Sequence, residues 1–359
     1  MSGAFAALER DTTRAPEADT AVAGVEQSAD AWTAYVSHHP RATGYHDWAW
    51  RTVFTRAFGC EPIYLSARRG SRIVGVLPAV FLDSWLFGRA LISLPYLNYG
   101  GVIADDPAAE RVLFECALDI ARRKRCRHVE LRHVERHFAD LPCKHHKVTM
   151  LLPLQASAPM WEALDRKVRN QVRKAQKSEL TYESGGQELL ERFYAVFARN
   201  MRDLGTPVYA RRFFEEILSA FPERARIHIV SLKTMPVAAG FTFETKGVVE
   251  IPWASSVRDF NALCPNHLLY WSILADAGDR GCATFDFGRS TPHEGTYKFK
   301  EQWGAHAVPL HWEYGLLGRA TLPDTGPTNP KFQLAVSAWK KLPLAVATRV
   351  GPFIVRAIP

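Results

Sequence analysis

The chain has 359 residues, 47% of them hydrophobic, and a formal net charge of +8, which is enough apolar material for two ordinary domains with separate cores. No run of 18 apolar residues is present to cross a bilayer as a helix, and the start "MSGAFAALERDTTRAPEADTAVAG" lacks the pattern of a secretory signal. Six scattered cysteines without a CxxC pair fit reduced thiols in the cytoplasm, while the basic balance points to a polyanionic partner.

Residues 1–27 read as a disordered tail. Residues 28–152 form a first module, opened by a pair of helices within 31–58. It continues with strand pairs in "IYLSARRGSRIVGVLPAVFLD", a broken strand in "LISLPYLNYGG", and a helix running into a strand in "VLFECALDIARRKRCRHVELR". Residues 153–318 repeat the order. Helices within 157–222 lead to "IHIVSLKTMPVAAGFTFETK", then "VVEIPWASSVR", then "HLLYWSILADAGDRGCATFDF". Leu94-Pro95-Tyr96 answers Ile251-Pro252-Trp253 at an offset of 157; Cys126 answers Cys282 and Glu130 answers Asp286 at 156. An ordered series at nearly constant offset marks a duplicated module. Residues 319–359 close the chain as a basic, apolar segment that suits either docking on the protein or a membrane interface.

Proline cannot donate to a strand ladder, so Pro95 and Pro252 at matching positions suggest that a central strand pair splays apart in each module. Strand, splayed strand, helix and strand in this order resemble the GNAT acyltransferase core. The expected class is therefore α/β: two tandem GNAT-like acyltransferase domains, each a mixed twisted sheet flanked by helices. In that fold the gap between the diverging strands admits the acyl donor. No glycine-rich loop of the R/Q-x-x-G-x-G/A type precedes either helix; the second opens with "CPNHLLYW", where free backbone amides can meet a phosphate.

"MWEALDRKVRNQVRKAQKSEL" (160–180) reads as one helix, with Trp161, Leu164, Val168, Val172 and Ala175 as the buried face. Arg166, Arg169, Arg173 and Lys177 fall on a stripe roughly opposite. Like charges at i,i+4 cost a few tenths of a kcal/mol per pair, so the stripe is expected to meet an anion: tRNA, a diphospho-lipid headgroup or a nucleotide-sugar. Sequence-specific DNA binding is not expected, because no helix-turn-helix, zinc finger or basic zipper is present.

"FDFGRSTPHEGTYKFKEQWGA" (285–305) joins a strand end, a polar loop and alternating aromatics and lysines. Acyl transfer to an amine passes through a tetrahedral oxyanion that a fixed cation stabilises. Lys300, or Lys298, suits that role; read as a strand, the segment points both lysines one way and Phe299 the other. Asp286, or Glu294 and His293 in the loop, could take the amine proton, and Arg289 could hold a phosphate or carboxylate bidentately. Trp253 at the strand break, Asn266 at the helix start and Tyr297 complete the expected substrate-binding set.

"R-x-x-x-R-K-A" at 169–175, "PNHLLYWSILADAGDRGCATFDFGRS" and "GTYKFKEQWGA" together resemble the Fem family of non-ribosomal aminoacyl transferases. Within it the chain is similar to the FemAB-like proteins of exosortase/PEP-CTERM exopolysaccharide loci, which "WKKLPLAVATRVGPFIVRAIP" also matches. The resemblance covers about residues 30–359, most specifically 264–305. It implies tandem GNAT-like domains and amide-forming transfer onto a peptidoglycan, exopolysaccharide or other cell-envelope glycan precursor, phosphorylated or lipid-linked. It also places Phe299 and Lys300 where acceptor and acyl donor meet. The donor would be aminoacyl-tRNA or acyl-CoA, with no tightly bound cofactor and peripheral contact with the inner membrane face as a further expectation. Two other functions stay open: an acyl-CoA-dependent N-acetyltransferase, and a non-catalytic component of an exopolysaccharide assembly complex.

"HVELRHVERH" and "CKHHK" gather His128, His133, His137, Cys143, His145 and His146. The repeat assigns His128–Arg132 to a strand, and zinc ligands ordinarily pair more tightly. No metal is expected.

Overall fold

The structure, a computed structural model, describes residues 20–323 and 330–358. The first seven strands are β1 (Val22–Val25), β2 (Glu61–Arg69), β3 (Arg72–Ser84), β4 (Gly88–Ile92), β5 (Ile103–Ala104), β6 (His128–His133) and β7 (Cys143–Lys144). The rest are β8 (Val148–Pro153), β9 (Leu180–Gly185), β10 (Ala225–Leu232), β11 (Met235–Thr245), β12 (Val248–Ser256), β13 (Thr284–Ser290), β14 (His306–Pro309) and β15 (His311–Leu316). Helices α1 (Ala29–His38) and α2 (Trp50–Phe58) join β1 to β2, and α3 (Pro107–Arg123) crosses to β6. After α4 (Ser157–Ala163) and α5 (Arg166–Lys177), helices α6 (Leu190–Leu204) and α7 (Arg211–Ala220) join β9 to β10. The crossover to β13 is α8 (Pro265–Asp279); α9 (Gly295–Glu301), α10 (Pro330–Trp339) and α11 (Leu344–Val355) follow.

Two sheets result, and they match strand for strand. One runs β1-β2-β3-β4-β6-β15-β7, with β5 added beside β3; the other runs β9-β10-β11-β12-β13-β8-β14. Each holds one parallel pair among antiparallel neighbours, three residues long: Ala90↔His128 to Ile92↔Glu130 in the first, Val248↔Thr284 to Glu250↔Asp286 in the second. Pairing then stops, just ahead of Pro95 and Pro252. The expected splay is present in both halves.

The sheets do not divide at residue 152. After β7 the chain crosses through residues 145–147, and β8 inserts between β13 and β14 of the second sheet. After β14 it crosses back at Leu310, and β15 inserts between β6 and β7 of the first. Leu310 N–H donates to the Lys147 carbonyl at 2.9 Å, tying the two crossings together. The halves also share their largest core. Trp50 and Phe54 of α2, Phe213 and Phe214 of α7, Phe243 and Trp253 all belong to one buried aromatic cluster, in which each fully buried ring contributes on the order of 2–3 kcal/mol.

Two sequence expectations change, and one open alternative is decided. Residues 1–19 of the predicted tail lie outside the described residues, but Val22–Val25 of that tail is a strand on the edge of β2, anchored where the Glu26 carboxylate accepts from Ser66 and Arg68. The single helix over 160–180 breaks at Leu164-Asp165, because the Asp165 carboxylate accepts the Lys167 N–H at 2.6 Å and starts a new helix. The C-terminal segment is docked: Ser84 and Tyr96 hydroxyls donate to the Ala357 and Arg356 carbonyls, and Arg202 to that of Leu342. Its outer face leaves Phe353 71% exposed, along with Val346 and Val350. No described helix is long and apolar enough to cross a membrane.

Candidate active site

Where β12 and β13 part, the last paired residues are both acids. Glu250 and Asp286 stand side by side in the register, 5% and 0% exposed. The first half supplies their partners. Tyr45 Oη and Asn98 Nδ2 each donate to Glu250 Oε1 at 2.6 Å, and Tyr99 Oη donates to Asp286 Oδ2 at 2.8 Å. Asp286 Oδ1 accepts from Thr149 Oγ1 at 2.5 Å and from Gly288 N–H at 2.8 Å. Gly288 turns the strand at φ +71°, in the left-handed region. A Cβ there would lie 3.1 Å from Asn98 Nδ2.

Burial of two adjacent acids sets the electrostatics. Desolvation first, and the Asp286 charge second, push the Glu250 carboxyl up to about 8. Asp286 is raised by desolvation too, against the pull of its hydrogen-bond donors. Lys300 is buried beside them at 7% exposure. Its ammonium donates to the Gly288 and Arg289 carbonyls at 2.9 and 3.1 Å, which spends two of its three N–H groups. Desolvation lowers it to about 8, opposed by Asp286 and Glu250.

Residues 164–301, which hold both acids and the lysine, match the family model described as acetyltransferase (GNAT) domain. That match spans less than half of the chain, and within it the chain is similar to a GNAT domain. Similar solved structures include FemX, at a TM-score of 0.62 and 15% identity over 87% of this chain and 99% of that one. The C-terminal domain of a putative lysylphosphatidylglycerol synthetase from Agrobacterium fabrum gives 0.55 and 13%, over 80% and 90%. A tandem GNAT protein from the clavulanic acid biosynthesis pathway gives 0.51 and 10%, over 85% and 99%. Such identities speak for the fold, which is the tandem GNAT-like one. No curated protein sequence matches the chain.

Within the matched region the "TYKFK" string is not a strand. It lies in α9, where residues two apart point roughly 200° away from each other. Lys300 is accordingly buried and Lys298 exposed. Glu294 and His293 are also exposed, at the start of α9, with His293 at φ +66°. Tyr297 is half-buried, its ring 5.7 Å from that of His293. Phe299 fastens α9 to α8, with ring contacts to His267, Tyr270 and Trp303. Trp253 is part of the aromatic core, edge-on to Phe213, Phe214 and Phe241, rather than lining a cleft.

Arg289 is half-buried, and its guanidinium makes no hydrogen bond or ion pair among the described residues. Its guanidinium lies 5.4 Å from the Trp312 ring, which Arg132 approaches at 4.3 Å. Desolvation, then Arg132, lowers Arg289 to about 10. Arg132 is neutralised by Glu130 at 2.7 Å, and Lys147 is turned to Thr291. A positive charge held in place without a counter-charge is a seat for an anion.

The basic stripe of α5 is divided. Arg169 pairs with Glu162 at 3.0 Å and Arg173 stacks on Trp161, while Lys177 is exposed. The neighbouring face instead lines a cavity of about 570 Å³, formed by Asp165, Arg166, Lys167, Asn170, Gln171, Lys174 and Cys264, three of them basic and one acidic. This places it at the start of α8, where Asn266 Nδ2 donates to Ser256 Oγ and Asn266 Oδ1 is buried without a partner.

Sequence reasoning missed Glu250, Tyr45, Asn98, Tyr99 and Thr149. One signal was present: Glu250 is a lone charge in the apolar run "VVEIPW", one residue short of the Ile251-Pro252 step at which β12 has left β13.

Proposed function

We propose that the chain is an acyl or aminoacyl transferase that forms an amide on a cell-envelope glycan, as a peptidoglycan or exopolysaccharide precursor. The observation that carries the reading is the buried Glu250–Asp286 pair at the splay of a GNAT domain, with an uncompensated Arg289 three residues on. An amine attacking an acyl carbon must shed a proton, and a carboxyl that titrates near working pH suits that transfer. Glu250, the more exposed of the two, is the acceptor. Asp286, saturated by three donors, raises it. The third N–H of Lys300 is free to face the developing oxyanion, and Arg289 takes a phosphate or carboxylate of the substrate.

The donor is aminoacyl-tRNA or acyl-CoA; either would present phosphates to the Arg166–Lys167–Lys174 cavity. The Fem-type resemblance of residues 264–305 and the aminoacylated anionic lipid in one structural neighbour's name support the aminoacyl version. The basic cavity at the start of α8 equally supports the acyl-CoA version. The exposed Phe353 face of α11 supports contact with the membrane that carries a lipid-linked acceptor.

Mass spectrometry of envelope glycans tests the proposal in a deletion strain complemented by wild type or Glu250→Gln. An acyl mark that disappears on deletion and returns only with wild type is expected. Unchanged glycans in the deletion strain, or full restoration by Glu250→Gln, would overturn it. Saturable binding of acyl-CoA, against charged tRNA, separates the two donors.

A further inference from the structure

The two crossings between the sheets leave three metal-ligating side chains on one face of the first sheet's edge. Cys143 lies in β7 and His145 two residues on, so both project to the same side of an extended chain. In the β7–β15 ladder Lys144 pairs with Trp312 and Cys143 with Glu313; continued by one residue, that register sets His145 opposite His311. A ligand atom from each of Cys143, His145 and His311 lies within 4.8 Å of those of the other two. Cys143 Sγ and His145 Nδ1 are 3.9 Å apart, and the His145 and His311 rings meet edge to face at 4.9 Å.

We propose that Cys143, His145 and His311 bind one divalent zinc-type ion with a fourth position open to solvent. Zn–S and Zn–N bonds at a tetrahedral angle hold the two ligand atoms roughly 3.5 Å apart, so the Cys143–His145 pair needs little closure. The mixed thiolate–imidazole set selects a borderline ion over magnesium or calcium. An independent observation points the same way: His311 Nδ1 is buried and has no hydrogen-bond partner. Nearby histidines are otherwise engaged. His133 bonds Glu313 and the Val102 N–H, and His137 bonds Glu110; of the residues grouped in the sequence only Cys143 and His145 belong to the site, and the third ligand, His311, comes from β15. The ion would clip the start of β15 to the end of β7, at the two places where the chain changes sheets. That makes it a staple, apart from the acyl-transfer chemistry.

Cobalt(II) titration of the full-length, reduced, untagged chain tests the assignment. Expected are one equivalent bound, a near-ultraviolet thiolate charge-transfer band and intense tetrahedral visible bands, all displaced by zinc. Cys143→Ser should abolish the charge-transfer band. His311→Ala should weaken affinity by more than the roughly 10–100-fold seen when only an outer-shell partner is lost. Zinc should also raise the melting temperature of the wild type by several degrees but not that of Cys143→Ser, a readout that needs no variant to match wild-type stability. A charge-transfer band that survives in Cys143→Ser, weak octahedral spectra, or no saturable binding at micromolar metal would each overturn the site.

Discussion

Replacing Glu250 by glutamine isolates the electrostatic claim. In the unfolded chain this carboxyl loses its proton near 4.5, whereas in the fold it keeps it to about 8. Between those values the Glu250 carboxyl holds its proton more in the folded state than in the unfolded one, so its contribution to stability falls as pH rises. Each unit of displacement is worth about 1.4 kcal/mol, which caps the loss between pH 5 and pH 8 at about 4 kcal/mol. Lys300 acts in a different window. Lowered from 10.5 to about 8, it adds stability as pH rises from about 8 to 10.5, while buried histidines such as His46 and His228, lowered to about 4 and about 3, add stability as pH rises toward 6.5 in both wild type and variant. Glutamine keeps an Oε1 for Tyr45 and Asn98 but cannot ionise. Urea denaturation at half-unit steps from pH 5 to 8 should therefore show wild type losing stability relative to Glu250→Gln as pH rises, the two diverging by up to about 4 kcal/mol at pH 8. Parallel curves across that interval would refute the idea that the acid pair is strained by burial.

Lys300→Ala removes the donor to the Gly288 and Arg289 carbonyls; single-turnover transfer should slow by roughly 10²–10³, with substrate binding weakened less, and an unchanged rate would exclude Lys300 from the chemistry. Gly288→Ala forces a side chain into the left-handed region and toward Asn98; a loss of about 1–3 kcal/mol in denaturant melts is expected. Arg289→Ala should raise KM about tenfold for an anionic substrate and flatten its dependence on salt; an unaltered KM would show that no anion sits there.

Local patterns carried much of this fold. The matching offsets, the proline at each strand break and the 3.6-residue period of the crossover helices are all short-range signals, and the two corresponding sheets follow from them. Asp286 and Lys300 stood out because their strand and loop are chemically dense. Glu250 was obscured because its significance lies in partners 205 and 152 residues away, Tyr45 and Asn98, and no periodicity encodes a contact across two modules. The "TYKFK" error has a local cause: alternating aromatics and lysines satisfy a two-residue period, yet Phe299 and Trp303, one helical turn apart, pack together beside α8. Which face of α5 meets the cavity depended on the break at Asp165, itself a single capping bond.

The reciprocal insertion of β8 and β15 has a consequence for synthesis. During translation β6 has no neighbour on its outer side until residues 311–316 leave the ribosome, about half the chain later. The first half must therefore wait with an open sheet edge, able to recruit a wrong strand, while β8 can join its neighbours as soon as the second half forms. Cutting the gene between the modules would yield two fragments, each carrying a strand that belongs to the other, and co-expression rather than separate production is the way to recover them folded.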